Sequence, residues 1–331
     1  MEVLRIHEKQ IKELTEFIIE KNLILHPIIS SNGTPDFSKH ICKKYILIID
    51  RNIMTKIIEL CRTGTLKDKN ILKVVSSLLF WSLFNDIALT GGLALNEYAN
   101  TKKDNNEASA ENNIFLKMFS QYPTKTWLDL FERKITSVPI INILSNKDYE
   151  FDVKSGHQQM HLAEVLHIFY LYVNQELTVT EKMIELLKWI DKNILFCAYT
   201  IVYAALLFSK QIKQPKIQEF NSTENILRKS SNQAWDLTYL SFWSTLYWNE
   251  NKGDTIHLFA TMDKDLKKVF MNTHNTDSNL FVRCFGEKEG KRINIEYERI
   301  LSNRQKPIIT DEIISKLVEK EISNIKKTFS Y

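Results

Sequence analysis

Two apolar runs in this chain stop on acids: "YILIID" ends at Asp50, and "TIHLFATMDKD" reaches Asp263 and Asp265. Two further carboxylates, Glu97 in "LALNEYAN" and Asp236 in "AWDLTYLSFW", sit inside apolar, helix-patterned stretches. A carboxylate in such company is costly unless it is at the surface, paired or metal-bound. Each acid also has a plain reading, since Asp is common in the turn after a strand and Asp236 can cap the first turn of its helix. If the runs are strands of an open parallel sheet, Asp50 and Asp263 both face the crevice beyond the carboxyl ends, where such sheets bind ligands. Four acids converging there would repel one another unless a divalent cation neutralised them, and an oxygen-only donor set selects Mg²⁺ or Mn²⁺ over zinc. A hard cation so held lowers the pKa of a bound water, aligns it with a phosphodiester and stabilises the leaving oxygen. The chemistry implied is nucleic-acid hydrolysis.

The elements that must hold these acids are mostly helical. Ile11, Leu14 and Ile18 share one face of a helix over about 8–22, which "HPIISSNGTPDF" breaks. "KYILIID" is apolar without alternation, as for a parallel strand covered on both faces. Helical clusters follow at 54–60 and 71–84, and a third helix is expected after Gly91 and Gly92. "TKKDNNEASAENN", residues 101–113, is polar and almost free of apolar residues, and is expected to be a solvated loop or a disordered link. Leu162, Val165, Leu166, Phe169 and Val173, then Met183, Leu186, Leu187, Ile190 and Ile194, repeat the helical spacing. A second polar connector, 210–225, precedes an aromatic-rich buried helix; "DTIHLFAT" is the second strand. Thr310, Asp311 and Glu312 open a last helix faced by Ile314, Leu317, Val318, Ile322 and Ile325.

The ordered motifs "IIDRNI", "LTGGLALNEYAN", "AWDLTYLSF" and "LFATMDKDL" resemble the PIN-domain nucleases, whose pattern runs strand, Asp-x-Asn, a helical Glu, a helical Asp, then strand and Thr-x-Asp. The matching positions are Asp50 with Asn52, Glu97, Asp236, and Thr261 with Asp263; Asp86 competes with Glu97 as the second acid. The resemblance implies an α/β fold, a doubly wound parallel sheet with helices on both faces, carrying a large helical insertion. It implies metal ligation by Asp50, Glu97, Asp236 and Asp263, with Asn52 and Thr261 orienting ligands or water. The implied activity is Mg²⁺- or Mn²⁺-dependent endonuclease, on RNA more than DNA, in the manner of a toxin or defence effector restrained by an inhibitory protein or other complex subunit. On this reading residues 1–40 are an N-terminal helical segment, 41–100 and 229–300 the two parts of the core, 101–228 the insertion and 301–331 a C-terminal helix. A catalytically silent member that binds RNA or protein is the alternative.

Composition sets bounds on these expectations. With 331 residues, 44% apolar, the chain can bury a large core, and a net charge of +4 means that any nucleic-acid surface is a local patch. Arg51, Lys264, Lys267 and Lys268, with Arg283, Lys288, Lys291 and Arg292, supply such a patch or an ordinary solvated surface. Cys42, Cys61, Cys197 and Cys284 lack zinc or disulfide spacing, which suits a reducing cytoplasm, and the charge-mixed opening "MEVLRIHEKQIKEL" predicts no leader. The longest apolar run, 194–208, falls short of the roughly 20 residues a membrane span needs, so no membrane association is expected. "HQQMHLAEVLH" puts His157 and His161 on one helical face, either as metal ligands or as a polar face; Gln158 stands where a zinc protease needs its Glu.

Overall fold

The computed structural model describes residues 6–27, 43–143, 147–151, 155–216, 222–274 and 279–329, and helices hold 69% of them. Cys42 and most of the breaker at 26–37 lie outside the described residues. Internal contacts divide the chain into two compact units, Met1–Lys154 with Trp243–Asp263, and Ser155–Phe242 with Lys264–Tyr331. The expected 101–228 insertion is thus shared between them.

The first unit opens with α1 (Glu8–Lys21) and β1 (Ile24–Leu25), followed by β2 (Lys44–Ile49), α2 (Arg51–Thr63), α3 (Lys69–Phe84) and β3 (Ala88–Thr90). It continues through α4 (Gly92–Lys102), α5 (Asn105–Gln121) and α6 (Thr124–Phe131), and closes with β4 (Thr255–Ala260). Its four strands form one sheet in the order β1-β4-β2-β3. β2 is parallel to both β3 and β4, and only the two-residue edge strand β1 is antiparallel. The sheet is therefore small and mixed. β1 has no counterpart in the sequence reading, because two apolar residues after a helix carry no period to detect.

β2 is central because its last three residues, Leu47, Ile48 and Ile49, are all buried. Its apolar side chains join those of α2 and α3 in a core that includes Met54, Ile57, Leu78, Phe80, Trp127 and Leu258. The helices after β2 and β3 each leave from a carboxyl end, as parallel crossovers require. α2 stops at Gly64, whose φ of +76° suits glycine and whose missing Cβ would lie 2.7 Å from Val138 O.

The expectation of a loop over 101–113 is overturned by α5. Asp104 accepts from Asn106 N and starts a helix through Gln121, with Ala108, Ser109, Glu111, Ile114 and Phe115 buried. The misreading came from composition: Asn, Asp and Glu read as a solvated link, but Asp104 is a cap and Glu111 is buried against an arginine.

The second unit holds α7 (Gly156–Val173), α8 (Val179–Asn193), α9 (Ala198–Phe208), α10 (Thr223–Tyr247, its last turn counted with the first unit), α11 (Lys264–Thr273), α12 (Leu280–Phe285), α13 (Glu287–Asn303) and α14 (Asp311–Phe329). The helical periodicities at 162–173 and 183–194 coincide with α7 and α8. α7 is pinned to α14 where His167 Nδ1 meets Glu321 Oε2 at 2.9 Å, and Trp189 Nε1 donates to the same carboxylate at 3.0 Å. Of the clustered aromatics, Trp235 and Trp243 are core, whereas Trp248 is 71% exposed. Among the described residues no helix is long and apolar enough to cross a membrane.

Candidate active site at the strand ends

The register of the two inner strands builds this site. Ile49 pairs with Ala260, so Asp50 and Thr261, each one residue further on, leave the sheet side by side. Asp50 N still donates to Ala260 O at 3.0 Å, which holds the exit of β2 against β4. Asp50 is also the N-cap of α2, accepting from Asn52 N. Asp50 thus stands at a strand end and caps a helix at once.

A closed hydrogen-bond ring follows. Thr261 Oγ1 donates to Asp50 Oδ2 at 2.5 Å, and Asn52 Nδ2 donates to the same oxygen. Asn52 Nδ2 also lies 3.3 Å from Thr261 Oγ1, and Asn52 Oδ1 accepts from Met262 N at 3.3 Å. Thr261 Oγ1 accepts from Asp263 N at 3.0 Å, which draws the second acid into the turn after β4. Asp50 is 3% exposed and Thr261 is fully buried, while Asn52 and Asp263 are half-buried.

Burial dominates the electrostatics of Asp50. Desolvation raises its carboxyl from 3.8 to about 6; the Thr261 and Asn52 hydrogen bonds pull it back, and the charge of Asp263 adds to the rise. Oδ1 accepts from Asn52 N at 3.4 Å, a long contact that leaves this oxygen accepting capacity.

Arg51, beside Asp50, does not counter that charge. Its guanidinium forks onto Glu111 at 2.6 and 3.2 Å and lies 4.1 Å over the Tyr98 ring. Glu111 is 3% exposed and also faces Arg62 at 3.8 Å. The brace ties α2, α4 and α5 together next to the acids, and it engages Arg51, one of the basic residues that could supply either a patch or an ordinary solvated surface. Sequence reading missed Glu111 because it lies in the stretch taken for a loop; the Asp104 cap signal was the only pointer to a helix there.

The remaining acids separate clearly. β3 is parallel to β2 with Ala88 opposite Ile46, so Asp86, two residues before Ala88, is level with the start of β2. It lies about 20 Å along the strand direction from Asp50, at the opposite edge of the sheet. Asp86 is therefore withdrawn as the second acid. Glu97 is half-buried on α4, the helix that leaves the carboxyl end of β3 and packs on α2 and β2. Gly91 permits that packing, since a Cβ there would meet Met54 Sδ at 3.1 Å. Asp236 belongs to the second unit, where Gln233 Nε2 donates to it at 3.2 Å; burial raises the Tyr203 phenol there, and the charges of Asp236 and Asp265 add to the rise. Among the described residues no three His, Cys, Asp or Glu side chains gather as a metal-binding group. The structure thus brings together Asp50, Asn52, Thr261 and Asp263 within the first unit.

No protein-family model matches the chain, nor does any curated protein or solved structure compared with it.

Proposed function

We propose that the first unit carries a PIN-like, Mg²⁺- or Mn²⁺-dependent endonuclease site, acting on RNA in preference to DNA. The observation that carries this reading is the joint exit of Asp50, Asn52, Thr261 and Asp263 from two neighbouring parallel strands. Three parallel strands with helices leaving their carboxyl ends support a doubly wound core of that kind.

The donor set suits a hard cation. The carboxylates of Asp50 and Asp263, the Asn52 amide oxygen and the Thr261 hydroxyl are all oxygen, and Asp50 Oδ1 retains accepting capacity. A carboxylate lifted to about 6 by burial is also one that a positive charge would relieve. Asp50 and Asp263 are the ligands this reading assigns; neither Glu97, which does not gather with them among the described residues, nor Asp236, in the second unit, is required. When bound, the cation would supply charge neutralisation and Lewis acidity to a phosphodiester. Thr261 and Asn52 fix the Asp50 carboxylate through Oδ2, which leaves accepting capacity on Oδ1. A toxin or defence role in the cytoplasm, under an inhibitory partner, is part of the same proposal.

The test is cleavage of total RNA, and of single-stranded and duplex DNA, with Mg²⁺, Mn²⁺ or chelator, by wild type and Asp50→Asn. Cation-dependent cleavage lost in the variant is the expected result. Cleavage that persists undiminished in Asp50→Asn would reject the assignment.

The hydrogen-bond ring favours a second reading, in which Asp50 merely caps α2 and locks it to β4 in a non-catalytic module that binds RNA or protein. Binding of RNA without Mn²⁺ uptake or cleavage would establish that alternative.

A further inference from the structure

Within the second unit, α7, α9 and α10 bring five polar side chains into one chain of hydrogen bonds. Glu164 Oε2 lies 2.5 Å from His161 Nδ1, and His161 Nε2 lies 2.7 Å from Ser241 Oγ. Ser241 Oγ is also 2.9 Å from His157 Nε2, and Thr200 Oγ1 donates to Glu164 Oε2 at 2.6 Å. Glu164 and His161 are fully buried, while Ser241 and His157 are half-buried.

An ionised carboxylate only accepts, so His161 Nδ1 carries the hydrogen and Nε2 presents its lone pair. The Ser241 hydroxyl, which also has Thr238 O at 3.2 Å, then donates to the nearer His161 Nε2 and accepts from His157 Nε2–H. Burial and the neighbouring His161 push His157 down to about 4, which keeps that ring neutral and its Nε2–H available as a donor. Glu164 Oε1 has no partner among the described residues, an arrangement that costs stability and concentrates negative charge behind His161. Cys197, near Glu164, is pushed up to about 12 by burial and stays a thiol. Hydroxyl, imidazole and carboxylate in this order are the parts of an activated nucleophile.

We propose that Ser241 is an acyl-accepting nucleophile with His161 as its general base, Glu164 as the positioning carboxylate, and esters or thioesters as the substrate class. Ser241 Oγ forms a bond to the acyl carbon while its proton passes to His161 Nε2 and the carbonyl π pair moves onto oxygen. His157 Nε2–H, 2.9 Å from Oγ, is the donor this reading assigns to that oxyanion. Collapse breaks the bond to the alcohol or thiol, which leaves with the proton from His161. Water then attacks the acyl-serine, His161 again takes the proton, and the carboxylic acid and free Ser241 are released. This site lies in the second unit and is independent of the strand-end acids.

The experiment treats the full chain with a fluorophosphonate probe, which forms an Oγ–P bond and expels fluoride, and maps the adduct by mass spectrometry. One equivalent on Ser241 is expected, absent in Ser241→Ala and formed at least about 100-fold more slowly in His161→Gln and Glu164→Gln variants that melt like wild type. Asp50→Asn should label at the wild-type rate, so the fate of this proposal is read separately from that of the nuclease. Should the His161 variant not fold, a burst of p-nitrophenol from p-nitrophenyl acetate in wild type, missing in Ser241→Ala, serves instead. The proposal is overturned by folded wild type that does not label, by labelling of Ser241 indifferent to Glu164→Gln, or by an equal burst in Ser241→Ala. Stoichiometric zinc uptake that is lost in His157→Ala, with no labelling, would assign the cluster to a metal and overturn it equally.

Discussion

Thr261 Oγ1 donates to Asp50 Oδ2 at 2.5 Å across the ends of two adjacent strands, although the residues are 211 positions apart in the chain. That bond joins the cap of α2 to the turn after β4, and it is one of the forces that hold Asp50 down against burial. Thr261→Val, which keeps the shape and removes the donor, should raise the Asp50 pKa further and cost about 1–3 kcal/mol at neutral pH. Urea unfolding at pH 7.5 checks the cost; an unchanged midpoint would show that the bond contributes nothing.

Asp50 also sets a pH dependence. Its carboxyl stands at about 6 in the folded chain against 3.8 without the fold, so the native state binds the extra proton. Stability from this group is full below about pH 4 and is lost as pH rises through about 6, a change of about 3 kcal/mol for roughly two pKa units. Asp50→Asn should therefore be more stable than wild type at pH 7.5, with the difference shrinking towards pH 4.5. Denaturation midpoints measured across that range test the sign, and a constant difference between the two proteins would contradict it.

Cation binding should appear as stabilisation. If Asp50 is a ligand, Mn²⁺ at 100 times its dissociation constant adds about 2.7 kcal/mol to wild type and little to Asp50→Asn. The gain should fade below about pH 6, where the carboxyl of Asp50 takes up its proton. Thermal melts with Mn²⁺ and with chelator report this without any assay of cleavage.

The Arg51–Glu111 pair is nearly dry, with 15% and 4% side-chain exposure. Removing one partner leaves the other charge buried, so Glu111→Gln should cost about 3 kcal/mol or more, whereas a joint Arg51→Met, Glu111→Leu change should cost much less. A double-mutant cycle in guanidinium chloride separates these outcomes. Equal destabilisation by the single and joint changes would mean that the pair does not act as a unit.

Gly64 offers a backbone test of how α2 is ended. A φ of +76° and a Cβ 2.7 Å from Val138 O leave no room for alanine, and Val138 N already donates to Gly64 O at 2.8 Å. Gly64→Ala should destabilise by about 1–3 kcal/mol. A melting temperature equal to that of wild type would show that the turn adjusts freely.

Much of this molecule was legible one element at a time. The unalternating apolar run of β2, the Asp50 stop, the Gly91–Gly92 break before α4 and the Thr310–Glu312 start of α14 are local signals, because periodicity, capping and glycine punctuation act within one or two turns of chain. On that ground the sequence alone was enough to propose acids at two strand ends. α5 escaped because its polar composition hid a capped helix whose buried face includes Glu111.

Tertiary structure decided what no local spacing encodes. Only the parallel register of β2 with β4 sets Asp50 against Thr261, and only the parallel sense of β3 sends Asp86 to the far edge of the sheet while α4 leaves from the near one. Likewise, "HQQMHLAEVLH" showed two histidines on one face, but the serine between them comes from α10, 80 residues beyond His161. Pairing between distant segments depends on which elements become neighbours when the whole core is buried, and that choice is made by the combined apolar surface rather than by any single stretch of chain.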